Sequence, residues 1–398
     1  MNKTSFIHCA DLHLGCTPNH LEDRFNDFFD SFKELIDKAI ENNSKYILIS
    51  GDLFHLKVIN SKTLLNVISL LEFSASHDIK TIVIEGNHDK AFLVDENSWL
   101  HFLHKKGYIT LLTHKIIDGN LVIDNDSIYE DNNIRVIGIG YLGSTTSIYL
   151  KDIEKKISKS NKFSVLMMHA AINRLCGEDM GDVNIETLSP LSQVVDYVAL
   201  GHIHTRYEYN DLFYNPGSIE NIRIKDGKKS NKKGYYLVNI HEKEKEVIYY
   251  NSKIRTINYE TIKLDNNLTL DQAENIIRNK EYDVKEKNIL DISIYGNVSF
   301  NPYLINFEDI KQVLKEKYNL LHIEINNFIN ILSSNLEIDN IIDIKSIEEQ
   351  SIKNYISINH PDINDIDITI KEIQDLKNSL IDNKEYDVII NNMIDDGE

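Results

Sequence analysis

The stretch Tyr46-Ile47-Leu48-Ile49-Ser50-Gly51-Asp52-Leu53-Phe54-His55 decides the fold. Its apolar run reads as a buried strand, and Asp52 places a carboxylate just past the strand end. Four other segments share this layout: Asp11-Leu12-His13, Gly86-Asn87-His88-Asp89, Met168-His169 and Gly201-His202-Ile203-His204. Each follows a β-rich apolar run and carries metal-ligand chemistry in its first loop residues. A single site gathered at the strand ends, centred on Asp52, accounts for all of them.

Outward from that stretch the chain alternates. Phe6 to Ala10 reads as a first strand, and apolar residues from Phe25 to Ile40 recur at helical spacing, giving a helix from Arg24 to about Asn42. The Phe25, Phe29, Phe32 and Ile36 face of that helix is read as core. Another helix, Lys62 to Ser76, leads to the strand Thr81 to Ile84. Strand and helix in turn with short connections predict an α/β layer fold, whose usual site lies at the carboxyl ends of the strands. Further strands are expected at Leu121–Ile123, Ile134–Gly138, Phe163–Met168, Val194–Leu200, Leu212–Asn215, Gly234–Ile240 and Val247–Asn251, with a helix over Ile148–Ile157 and a loop over Ala170–Ser189. Near Thr256 the character shifts to a small α+β pattern: strand Thr256–Leu264, helix Leu270–Asn279, strand Ile289–Ile294, helix Ile305–Lys317, strand Leu320–Ile325. Helical signals at Ser346–Glu349 and Ile368–Ile381 follow. The reading is three domains: 1–255 carrying the site, a small α+β capping domain over 256–326, and a helical C-terminal region over 327–398, too poor in apolar residues for a core of its own and so expected to pack on something else, a candidate partner-binding segment.

Composition sets limits. The 398 residues carry a formal net charge of -19, which argues against a surface coated in positive charge for nucleic acid but not against a local basic patch. Pro361 to Glu398 is strongly acidic, whereas Arg223 to Gly234 is rich in Lys and Arg. No long apolar stretch suits a bilayer and no basic-then-apolar leader opens the chain, so a soluble, cytoplasmic protein with no membrane partner is expected. Cys9, Cys16 and Cys176 are scattered and odd in number, and read as free thiols.

The donors suit divalent transition metals, which accept imidazole and carboxylate. Asp11 and His13 lie two apart, as do His202 and His204, a spacing that can aim both side chains of each pair at one cavity. Asp52 can bridge two ions, Asn87 adds a carbonyl and His169 another imidazole. Two ions held close together activate a nucleophile and stabilise charge on a phosphate. His88, next to Asn87, is placed as a proton donor to the leaving oxygen, with Asp89 holding it through a hydrogen bond. An isolated histidine or a strand-exit glycine means little; the matching segments together carry the reading.

These residues resemble the calcineurin-like metallophosphoesterase superfamily. Ala10-Asp11-Leu12-His13-Leu14-Gly15, Gly51-Asp52-Leu53-Phe54-His55 and Tyr214-Asn215-Pro216-Gly217-Ser218 look like its double-strand-break repair nuclease branch, which includes the bacterial SbcD subunit and YhaO-type relatives. The resemblance covers about residues 4–250. It implies a two-sheet metallophosphoesterase sandwich flanked by helices, followed by the capping domain and C-terminal helices. It also implies two divalent ions per subunit, of manganese. Asp11, His13, Asp52 and His204 would hold one ion, and Asp52, Asn87, His169 and His202 the other. His88 would be the catalytic histidine, and His55 a residue at the substrate phosphate. The implied activity is a 3′-to-5′ exonuclease on duplex DNA ends and an endonuclease on single strands or hairpins. A homodimer and an SMC-like ATPase partner of the SbcC type are implied as well.

Arg24, Arg223, Lys225, Lys228, Lys229, Lys232 and Lys233 are candidate DNA contacts, positioning a duplex through its phosphates. Tyr141, His20 and Arg174 are near the site in sequence. Two other readings stand beside the nuclease: a phosphoesterase acting on a small phosphodiester or phosphomonoester, and a non-enzymatic adaptor joining DNA to an ATPase.

Overall fold

The computed structural model describes residues 4–91, 97–151, 153–173, 175, 181–229, 232–332, 352 and 369–371. Two six-stranded sheets face one another. The first runs in the order Glu244–Asn251, Gly234–His241, Thr4–Cys9, Tyr46–Ile49, Lys80–Ile84, Thr110–Leu112. The second runs Tyr207–Tyr209, Phe213–Asn215, Tyr197–Gly201, Phe163–His169, Ile134–Ile139, Ile128–Glu130. In the first sheet Thr4–Cys9, Tyr46–Ile49 and Lys80–Ile84 pair in parallel; in the second, Ile134–Ile139, Phe163–His169 and Tyr197–Gly201 do so. Every strand named as carrying a site segment therefore ends at the same rim of its sheet.

Alternation along the strands explains why the sheets stack. Tyr46 and Leu48 join Phe6, Ile82, Val165, Met167 and Tyr197 in the core between the sheets, while Ile47 and Ile49 pack on the helix side. These strands are apolar on both faces because both faces are covered. The helix Glu22–Glu41 presents Phe25, Phe28, Phe32, Leu35 and Ile36 to that outer core, as its spacing predicts. Helix Ser61–Ala75 opens on Asn60, whose side chain accepts from the Thr63 N–H. Leu166, Met168, Val198 and Leu200 face a third cluster on the far side of the second sheet.

After residue 256 the strands Ile257–Leu264, Ile289–Val298 and His322–Ile331 form a three-stranded sheet, with helices Leu270–Asn279 and Phe307–Lys317 between them. The chain divides into two compact units. One holds Met1–Leu264, Asp271–Tyr295 and Tyr303–Phe328; the other holds Asp265–Leu270, Gly296–Pro302 and, among the described residues, the chain from Ile329 onward. Within the first unit Ile257, Ile289 and Leu321 pack with Leu21, Ile224 and Tyr259. Arg255 adds a two-pronged ion pair to Asp27 (2.7 and 2.6 Å).

Some local expectations differ from the structure. The helix expected over Ile148–Ile157 is two short ones, Thr146–Tyr149 and Ile153–Lys156. Within the basic stretch after Ile222, Asp226–Lys229 turns as a short helix. Cys9 and Cys16 are buried free thiols. Cys176, Arg174, the Lys229 side chain, the helix starting at Ser346, nearly all of Ile368–Ile381 and the acidic tail lie outside the described residues. Among the described residues no helix is long and apolar enough to cross a membrane.

Candidate dinuclear metal site

The first two loops are stitched together beyond their strands. Asp11 N–H donates to Gly51 O (3.1 Å), His13 N–H to Asp52 O (3.0 Å) and Leu14 N–H to Leu53 O (2.9 Å). This continued pairing brings Asp11, His13 and Asp52 onto one rim. Asp11, His13, Asp52 and His202 all have positive φ (53, 46, 54 and 87°), a costly conformation for residues with side chains that marks an over-determined site. Gly51 has φ 90°, and a Cβ there would lie 2.2 Å from His169 Nδ1. Only glycine fits.

The side chains of all five segments converge. Asp52 Oδ2 lies 3.8 Å from His13 Nε2 and 3.5 Å from His169 Nε2. On one side of it, His13 Nε2 and His204 Nε2 are 3.1 Å apart. On the other, Asn87 Oδ1 is 3.1 Å from both His169 Nε2 and His202 Nδ1. Donor atoms of Asp11, His13 and His204 come within 4.8 Å of one another, as do those of Asp11, Asp52 and His169. Asp11, His13, Asp52 and His169 form a buried floor, while Asn87, His88, His202 and His204 are half-buried at its mouth.

Surrounding hydrogen bonds aim the donors. Ser50 O lies 2.7 Å from His169 Nδ1, so the ring donates there and turns its Nε2 toward Asp52 and Asn87. Both Asp11 oxygens accept the His202 N–H (3.1 and 3.0 Å), and Asp52 Oδ1 accepts that of His88 (2.9 Å). Burial pushes the Asp11 carboxyl up to about 7, against the pull of His169. Burial also opposes ionisation of Asp52, but the adjoining His169 and His13 hold its carboxyl below the ordinary range. Burial drives His204 down to about 4, with Lys233 adding to the effect. Against its burial, Asp52 and Asp11 pull the His169 ring up to about 9, so it carries a proton that a bound cation would displace. Imidazoles, a carboxylate between them and an amide oxygen suit a pair of divalent cations. Paired ring nitrogens such as those of His13 and His204 are well served by a shared cation.

His88 sits at the mouth with its Nδ1 2.6 Å from His55 O. The rings of His55 and His88 stack at 5.6 Å, and that of His13 meets His88 edge-on at 4.8 Å. The expectation for Asp89 needs correction. Its carboxylate accepts from the N–H groups of Leu53 (3.2 Å), Phe54 (3.0 Å) and Gly86 (3.0 Å), so it braces the Asp52 turn, and the His55 carbonyl takes the orienting role at His88.

The basic candidates separate. Arg24 is buried, donating to Asp27, Glu220 and Asn221 O, and is not available to a phosphate. Lys233 is also buried, with its Nζ on His204 O (2.9 Å) and Ser218 Oγ (3.0 Å). In sequence a charged side chain reads as facing water; these two are enclosed instead. Lys228 is bonded to the buried Asp291 (2.6 Å). Arg223, Lys225 and Lys232 are exposed. Tyr141 does reach the site, its ring 5.2 Å from His202 and 5.9 Å from His169, and Lys90 lies over that ring at 5.6 Å. Lys90 was missed in the sequence, although it directly follows the Gly86–Asp89 run.

Residues 4–206 match the calcineurin-like phosphoesterase family. The chain belongs to that family. The chain is 28% identical over 371 residues to the DNA double-strand break repair protein Mre11 of Sulfolobus acidocaldarius, covering 90% of this chain and 88% of that protein. The protein of the same name from Methanococcus maripaludis is 27% identical over 385 residues, covering 90% and 92%. That from Methanocaldococcus jannaschii is 34% identical over 243 residues, covering 58% and 62%. Within the phosphoesterases the chain is thus similar, over nine-tenths of its length, to proteins named for double-strand break repair. Family, fold and paired donor clusters make it a metal-dependent hydrolase, which sets aside the non-enzymatic adaptor.

Proposed function

We propose that this phosphoesterase is a DNA nuclease, hydrolysing phosphodiesters as a 3′-to-5′ exonuclease on duplex ends and an endonuclease on single strands or hairpins. The observation that carries the chemistry is Asp52 Oδ2 standing between His13 Nε2 and His169 Nε2 at 3.8 and 3.5 Å. Asp11, His13, Asp52 and His204 would hold one ion, and Asp52, Asn87, His169 and His202 the other; manganese suits this mixed nitrogen and oxygen set. When bound, the ions supply Lewis-acid polarisation of the phosphate and activation of the nucleophile. The chain's own residues do the rest. His88, its Nδ1–H given to His55 O, keeps Nε2 free to hold a proton for the leaving oxygen. His55 stacks beside it and contacts the phosphate. Asp89 fixes the turn that carries Asp52, as a positioning residue. Tyr141 walls the opening beside His202.

The DNA substrate rests on the relatives' names and the Leu53-Phe54-His55 context. Arg223, Lys225 and Lys232 would meet phosphates. A homodimer, an SMC-like ATPase of the SbcC type as partner, and a partner-binding role for the region after residue 327 complete the reading. End-labelled duplex incubated with Mn²⁺ or Mg²⁺ tests it, comparing wild type with Asp52→Asn. A ladder shortening from the 3′ end, lost in the variant, is expected. Intact duplex alongside rapid cleavage of a small diester would move the substrate to the small-phosphoester class.

A further inference from the structure

The segment Tyr214–Ser218 and the basic run ending at Lys233 meet at the two-histidine turn. Asn215 Nδ2 donates to Ile203 O (2.7 Å) and Thr205 O (2.9 Å), and Lys233 Nζ donates to the carbonyl between them, His204 O (2.9 Å). Three consecutive carbonyls are thus pinned by two buried side chains. Lys233 is 2% exposed, and its other described bond goes to Ser218 Oγ (3.0 Å), whose hydroxyl donates in turn to Glu220 O (2.9 Å). Gly217 lets this arrangement close: a Cβ there would come 2.8 Å from His204 O.

An ammonium group is costly to bury, and it is kept only where paired or hydrogen-bonded. A Leu or Met would fill the same space more cheaply, so the position has a use for the donor. The carbonyl it grips belongs to His204, whose Nε2 is 3.1 Å from His13 Nε2. We infer that Lys233 is a positioning residue for the metal site, holding the His204 backbone so that its imidazole faces His13, rather than a DNA contact. The inference rests on the dinuclear reading above. Outer groups that fix a ligand's orientation typically change metal affinity by about 10–100-fold when removed, and a phosphate contact instead changes the salt dependence of DNA binding.

The test is calorimetric titration of the full chain with Mn²⁺, together with DNA binding across a salt series, for wild type, Lys233→Met and Ser218→Ala. Lys233→Met is expected to weaken one of the two ions by about tenfold or more while the salt slope of DNA binding stays unchanged. Unchanged affinity for both ions overturns the inference, and so does a reduced salt slope with affinity intact. If Lys233→Met does not fold, Ser218→Ala decides: it removes one anchor of the lysine and is expected to weaken the same ion severalfold. Unchanged affinity there counts against the role. Wild type binding fewer than two ions would instead defeat the dinuclear reading itself, so the two failures are distinguishable.

Discussion

His88 Nδ1 lies 2.6 Å from the backbone carbonyl oxygen of His55. Because a carbonyl only accepts, this contact assigns the ring proton to Nδ1 and leaves Nε2 toward the opening of the site. His88→Ala is therefore expected to lower turnover by roughly 10²–10⁴-fold with two Mn²⁺ still bound per chain. Parallel measurement of cleavage rate and ion stoichiometry checks this; loss of an ion would make His88 a ligand instead.

Gly51 carries a different load. Its positive φ and the 2.2 Å approach of an added Cβ to His169 Nδ1 leave no room for a methyl group. Gly51→Ala should destabilise the fold by about 1–3 kcal/mol and weaken metal binding, because relief requires His169 to move. Denaturant midpoints and Mn²⁺ titration read both effects. A variant as stable as wild type with full metal affinity would contradict the packing.

Acid should loosen the sandwich through His8. The ring is fully buried between the sheets, 2.9 Å from Tyr197 OH and 3.0 Å from Leu200 O. Burial lowers it to about 3 from an ordinary 6.5, partly opposed by the Leu200 carbonyl. The folded state thus favours the neutral ring, whereas the unfolded chain protonates near 6.5. Its contribution is complete above 6.5 and is lost as the pH falls from 6.5 toward 3, at up to about 1.4 kcal/mol per pH unit. His8→Gln should show a shallower fall in stability over that window; an identical slope would remove His8 as the cause.

Much of this was legible in the sequence, for a physical reason. Metal donors must stand where strands end, so runs such as Tyr46–Ile49 followed by Gly51-Asp52 announce both the layer fold and its site. Likewise the apolar spacing of Phe25, Phe32 and Ile36 reports a helix against a core. Partners that act through their backbone were not legible. Ser50 and His55 contribute carbonyl oxygens, which any residue possesses. Nor does a lysine in a basic run disclose that it is buried: Lys233 and Lys225 look alike in sequence, yet one is enclosed and the other exposed.

That separation predicts unequal effects within the basic candidates. Arg223→Ala with Lys225→Ala should reduce the slope of log affinity for DNA against log salt by up to roughly two, since each phosphate contact contributes about 0.9. Arg24→Ala should act on stability instead, because it leaves the buried Glu220 carboxylate, held otherwise by the Asn221 and Arg255 N–H groups, without its countercharge and removes a donor from Asn221 O. A salt series and a melting curve on each variant distinguish these. An unchanged slope for the double variant would take Arg223 and Lys225 out of the footprint.

The most direct test of the central claim is anomalous diffraction at the manganese edge from crystals grown with Mn²⁺. Two peaks sharing Asp52 are expected, one among Asp11, His13 and His204 and the other among Asn87, His169 and His202. A single peak, or two that do not share Asp52, would contradict the account.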